Sequence, residues 1–127
     1  MAINSDQDIV SARQKGRAMA TELGFSSGDS TLIATAISEL ARNILSYARE
    51  GRITLAGVHG SSRVGILIVA SDDGPGIPDI RQAMRDGFST SGSLGRGLPG
   101  VRRLMDEFEI TSQPSRGTTV TVKKWKR

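Results

Sequence analysis

The chain has no cysteine and a single histidine, His59. Disulfides, thiolate metal sites and cysteine nucleophiles are thereby excluded, and so are transition-metal sites or catalytic triads that need further histidines. The lack of cysteine also fits a reducing compartment, so a cytoplasmic location is the expectation. Aromatic residues make up only 4% of the sequence, and Trp125 is the one aromatic among the C-terminal basic residues. There is little surface on which bases could stack, so nucleic acid is not an expected partner. Long apolar runs are missing too. The longest, Val64 to Ala70, falls far short of a bilayer span, and no membrane segment is expected. The first eight residues carry neither a basic start nor an extended apolar stretch, so no secretory signal is expected.

What is present fits one domain covering residues 1–127, with 37% hydrophobic and 24% charged residues. A chain of this size can bury roughly two thirds of its unfolded surface around a single core. The net charge of +4 is concentrated late: from Arg96 onward eight Lys or Arg face Asp106, Glu107 and Glu109. That half would attract an anion. Lys123 to Arg127 read as a solvated strand end and tail. His59 reads as a solvent-facing turn residue.

Hydrophobic spacing predicts a first helix from Asp6 or Asp8 to about Leu23, with Ile9, Ala12, Gly16, Met19, Ala20 and Leu23 near one face and Gly24 as the stop. A second helix is predicted from Ser27–Ser30 to about Arg49. Its stripe is Ile33, Ile37, Leu40 and Ile44, the spacing of a helix packed on one side. Two β-branched runs follow, Ile53 to Val58 and Val64 to Ala70, readable as an antiparallel hairpin with the second as a central strand. After a Gly- and Pro-rich loop, Ile80 to Met84 suggests a short helical turn and Leu98 to Asp106 a third helix, with Pro99 tolerated in its first turn. Strands at 108–113 and 118–124, joined by Pro-Ser-Arg-Gly, complete the chain. The expected fold class is α/β, a two-layer sandwich with a mixed β-sheet and about three helices on one face.

Three sequence features bear on chemistry. The first is Glu39-Leu-Ala-Arg-Asn43, in which Glu39 and Asn43 share a helix face, displaced from the apolar stripe to its rim. An Asn oxygen is a hard, neutral ligand suited to Mg²⁺, which takes its anionic ligands from phosphates. Glu39 beside it can accept the proton of an incoming hydroxyl. The second is Asp72-Asp-Gly-Pro-Gly76 at the end of an apolar strand, where Gly74 and Gly76 permit close approach to the backbone. A carboxylate at Asp72 can accept from the exocyclic amine of adenine and would repel the carbonyl of guanine, favouring ATP over GTP. The third is Gly92, Gly95, Gly97 and Gly100 around Leu98 at a helix start, where free N–H groups and the helix dipole favour a phosphate. Arg96 touches either phosphate or water. The alternative for this stretch is a flexible surface loop with Ser89, Thr90, Ser91 and Ser93 as polar filler. It is neither a Walker P-loop nor a Rossmann fingerprint.

In order, Glu39…Asn43, Asp72-x-Gly-x-Gly, Gly95-x-Gly97 and Gly117-Thr118 resemble the GHKL, or Bergerat-fold, ATP-binding family over about Ser5 to Lys124. The resemblance implies Glu39 as base, Asn43 as Mg²⁺ ligand, Asp72 at adenine, Gly95, Arg96, Gly97 and Leu98 in a lid over the phosphates, and Thr118 behind the adenine pocket. Arg96 within the Gly pair departs from the family's lid pattern. Ile-Ser-Glu-Leu-Ala-Arg-Asn-Ile, Asp-Gly-Phe-Ser-Thr-Ser-Gly-Ser-Leu-Gly and Gly-Leu-Pro-Gly-Val-Arg-Arg-Leu-Met-Asp-Glu-Phe are further similar to RsbT-type switch kinases of the stressosome. That likeness implies a serine/threonine kinase that uses ATP and Mg²⁺, phosphorylates STAS-domain scaffold proteins, and activates a PP2C-type phosphatase. Two alternatives stand beside it. One is a histidine-kinase catalytic domain, against which the chain has no dimerisation helices or phosphoacceptor histidine of its own. The other is an anti-sigma-like binding module.

Overall fold

The computed structural model describes residues 1–76, 84 and 97–127. In chain order the elements are β1 (Ala2–Ile3), α1 (Asp6–Glu22), α2 (Ser27–Ala48), β2 (Gly51–His59), β3 (Val64–Asp72), α3 (Gly97–Leu104), β4 (Glu107–Gln113) and β5 (Gly117–Trp125). The helical turn expected at Ile80 to Met84 lies, but for Met84, outside the described residues, as do Gly95 and Arg96.

Local chemistry accounts for the element ends. Ser26 caps α2 by accepting a hydrogen bond from the N–H of Asp29 at 3.1 Å. Gly24, at φ +94°, stops α1 in the left-handed region that a side chain disfavours.

The strands form one sheet in the order β1-β2-β3-β5-β4, so Val64–Asp72 is central, as its apolar run predicts. Every pairing among the described strands is antiparallel, where the sequence suggested a mixed sheet. The crossover through α3 does return β4 in the direction of β3. β5 then inserts between them, so the two parallel strands never hydrogen-bond.

Register and alternation decide which face is dry. Ile53, Ala70, Val120 and Ile110 lie in one row across the sheet, and Leu55, Ile68, Val122 and Phe108 in the next. These side chains meet α2, whose Ile33, Ile37, Leu40 and Ile44 are all buried. The helix buries more than the predicted stripe, with Ser30, Ala34, Ala36, Ser38 and Ala41 also inside. Its small residues let α1 and α3 pack on either flank, making α2 the centre of the helical layer.

The sheet alternation also corrects the reading of the C-terminal lysines. Lys124 is the register partner of Ile66 and therefore faces the helices, not solvent. Its Nζ donates to the Leu104 carbonyl at 2.9 Å, closing the C-terminal end of α3 with a positive charge where the helix dipole is negative.

The α1–α2 contact is set by Gly16. A Cβ at this position would stand 2.0 Å from Ile37 Cδ1, so the helices meet at a distance that only a missing side chain allows. Gly16→Val should lower the unfolding free energy by about 1–3 kcal/mol through overpacking, seen as a lower urea midpoint at unchanged slope. Adding Ile37→Val, which removes Cδ1, should recover part of that loss.

Candidate nucleotide site

Four elements converge at one end of the sheet. α2 carries Glu39 and, one turn later, Asn43. β3 ends at Asp72, β5 begins beside it at Thr118, and α3 starts at Gly97.

Glu39 is 3% exposed, deeper than the rim position its spacing predicts, because α3 packs over this part of α2. Its Oε2 accepts the N–H of Gly97 at 3.1 Å, and its Oε1 accepts from Arg42 Nη1 at 2.8 Å. The carboxylate thus caps the N-terminus of a helix 58 residues away in sequence, where the unsatisfied N–H groups and the dipole favour negative charge. Asn43 is half-buried, and its side-chain amide makes no hydrogen bond to the described residues.

Asp72 continues the dry-face alternation of Ile66, Ile68 and Ala70, which is why a carboxylate reaches a site only 8% exposed. Its Oδ1 accepts from the backbone N–H groups of Gly74 at 3.0 Å and Thr118 at 3.3 Å. These two donors fix the plane of the carboxylate, while Oδ2 has no partner among the described residues. Thr118 is buried, and its hydroxyl lies 2.8 Å from that of Ser112, its register partner on β4.

Two glycines permit this close construction. Gly76 sits at φ +83°, with a Cβ excluded by the Gln113 carbonyl 2.5 Å away. Gly117 sits at φ +94°, and a Cβ there would fall 2.0 Å from the Asp72 carbonyl oxygen. A side chain at either residue would push the Asp72 loop off the β4–β5 turn, to which Pro75 is joined through the N–H of Ser115. Gly74 closes the other side, within reach of Ala48 at the end of α2.

The structure therefore brings Asp72, Gly74, Gly76 and Thr118 together at the ends of β3 and β5 beside Ala48 of α2, and joins Glu39 to Gly97 earlier on the same helix, with Asn43 between the two groups along α2. Leu98 is placed differently from a lid residue in one respect: its side chain is in the core, so only its backbone faces the helix start. His59 is exposed at the far end of β2. Sequence reasoning gave no role to Arg42 or Ser112. Arg42 was visible as the i,i+3 neighbour of Glu39; Ser112 shows only once the register opposite Thr118 is known.

No group of three or more His, Cys, Asp or Glu among the described residues could cage a metal ion. The donor chemistry here suits Mg²⁺ held by one amide oxygen, from Asn43, with phosphate and water as its other ligands.

One turn beyond Asn43, Tyr47 packs against the core, and burial raises its phenol above the ordinary value of 10.0. A folded-state value above the unfolded one means that this group's stabilising contribution is complete below pH about 10 and is lost as pH rises through the folded value. Tyr47 is the only tyrosine, so phenolate absorbance reads it directly. Its titration midpoint should be higher in the folded chain than in denaturant; equal midpoints would contradict the burial.

Comparison with known proteins identifies the family. Residues 28–127 match the family described as histidine kinase-, DNA gyrase B-, and HSP90-like ATPase. The chain is 56% identical over 125 residues to the serine/threonine-protein kinase RsbT of Bacillus subtilis, covering 98% of this chain and 94% of that protein. It is 30% identical to the anti-sigma F factor of Thermoanaerobacter sp., covering 97% and 89%. The mycobacterial sensor histidine kinase MprB shares the fold, with a TM-score of 0.59 at 18% identity over 100% of this chain and 97% of that one. The chain therefore belongs to the GHKL family of ATPases, and within it to the RsbT type of ATP-dependent serine/threonine kinase.

Proposed function

We propose that this chain transfers the γ-phosphate of ATP to a serine or threonine of STAS-domain scaffold or antagonist proteins and, once released from them, activates a PP2C-type phosphatase in a stress-response switch in the cytoplasm. The observation that carries the catalytic part is the Glu39 carboxylate, buried and fixed at the head of α3 on the same helix as a free Asn43 amide. The likeness to the RsbT kinase of B. subtilis supports the choice of substrate hydroxyl.

In this reading Asp72 Oδ2 accepts the exocyclic amine of adenine, because Oδ1 is already committed to two backbone donors. Thr118 and Ser112 back that contact. Asn43 offers its oxygen to Mg²⁺, which when bound neutralises phosphate charge. Gly97 begins the helix whose N-terminal end favours the phosphates, and Gly95 and Arg96, outside the described residues, precede it in sequence. Glu39 takes the proton of the substrate hydroxyl as its oxygen bonds to the γ-phosphorus and the bond to ADP breaks.

A second reading is favoured by the anti-sigma F relative: a module that sequesters a protein target and uses ATP only to set its shape. Incubation with labelled ATP, Mg²⁺ and a STAS-domain protein separates the two. The kinase reading expects acid-stable phosphate on serine or threonine; no transfer despite nucleotide binding selects the module.

Glu39→Gln keeps an oxygen for one of its two donors, turns an NH2 group toward the other, and loses the basic carboxylate. It should slow transfer about 10²-fold or more while nucleotide affinity stays within about threefold. Asp72→Asn should do the reverse. Its amide nitrogen would face another donor, weakening ATP binding about tenfold or more, in line with ~1–3 kcal/mol for an unmatched polar group. Calorimetry and single-turnover transfer measure the two effects separately.

A further inference from the structure

The Glu39–Arg42 pair is absorbed by neither the family pattern nor the proposed mechanism. Arg42 stands three residues after Glu39, about 60° away around the helix in one direction, while Asn43 is about 40° away in the other. Glu39 is thus bracketed on α2 by a guanidinium on one side and an amide on the other. Its carboxylate is 3% exposed, whereas the Arg42 side chain is 35% exposed, so the cation reaches from the rim inward to a buried anion.

The two oxygens of Glu39 are held from different directions. Oε2 is bound by the N–H of Gly97, the first residue of α3, and Oε1 by Arg42 Nη1 at 2.8 Å. One contact alone would leave the carboxylate free to turn about the bond to Cγ; two fix its plane and hence the direction of its remaining lone pairs. Of the two, only the Arg42 contact comes from the same rigid helix as Glu39. Its geometry therefore does not depend on where α3 sits.

We propose that Arg42 is a positioning residue for phosphoryl transfer: it holds the Glu39 carboxylate in the orientation in which it meets the substrate hydroxyl. This rests on the reading of Glu39 as the base. A lysine in its place supplies charge but no planar fork, so it should orient the carboxylate less well without abandoning it.

The test uses the full chain with a STAS-domain substrate, and four variants: Glu39→Gln, Arg42→Met, Arg42→Lys and the double variant Glu39→Gln/Arg42→Met. Arg42→Met should lower kcat about 10²-fold, the scale of a small misplacement of a reacting group, with KM for Mg-ATP within about threefold. Arg42→Lys should recover about tenfold of that loss. The double variant should be no slower than Glu39→Gln alone, because a residue that acts through the carboxylate has nothing left to orient.

The outcomes separate the two ideas. Slow Glu39→Gln with Arg42→Met at full kcat overturns the positioning role alone. So does a loss confined to KM, or a double variant slower than Glu39→Gln, either of which would have Arg42 acting on nucleotide or substrate directly. Glu39→Gln at the full rate overturns the base assignment and the positioning role with it. Circular dichroism and thermal unfolding check each variant. Should Arg42→Met not fold, the kcat of Arg42→Lys, expected about tenfold below the natural chain, carries the same decision.

Discussion

A buried carboxylate joins the two halves of this site. Glu39 lies in the middle of the best-buried helix, where an unpartnered charge would be strongly disfavoured, and its donors come from that helix and from the head of α3. Satisfying the charge therefore fixes where α3 begins, and with it the place at which the glycine-rich segment returns to the fold. The rest of the site follows from the sheet. β3 and β5 run side by side, and their dry-face alternation ends in a polar row of Asp72, Thr118 and Ser112 beyond the apolar rows that make the core.

The division of labour between Asp72 and Glu39 comes from environment. Both are carboxylates with backbone donors at short range. Asp72 keeps one oxygen without a partner among the described residues, which in the proposed function accepts an exocyclic amine. Glu39 has donors on both oxygens and is locked in plane, which suits a group that must meet a hydroxyl along one direction. In the proposed function, neighbours of different geometry give the same functional group a recognition role in one place and a proton-accepting role in the other.

Most of the fold was legible because its signals are local. The stripe Ile33, Ile37, Leu40, Ile44 and the run Val64 to Ala70 report burial through spacing alone, and Gly24 and Gly51 mark ends near where the structure has them. What was not legible depends on who sits beside whom. The insertion of β5 between β3 and β4 leaves no trace in any single segment, so a mixed sheet was a reasonable expectation and an antiparallel one the result. Lys124 read as solvated because a lysine near the end of a chain usually is; only its register against Ile66 turns it inward. At the site, Glu39, Asn43 and Asp72 could be picked out by residue type and spacing. Arg42 was in view as the i,i+3 neighbour of Glu39 but had no assigned partner, and Ser112 shows only through its register opposite Thr118.

Lys124 has one more implication. A charged bond to the Leu104 carbonyl anchors the far end of α3, while at its near end the Gly97 N–H donates to Glu39. Such a rod is moored at stern and bow, to a cation on the sheet and to an anion on the neighbouring helix. β5 carries Lys124 and Thr118 on the same face, so the strand that holds the tail of α3 also supplies the backbone donor that fixes Asp72.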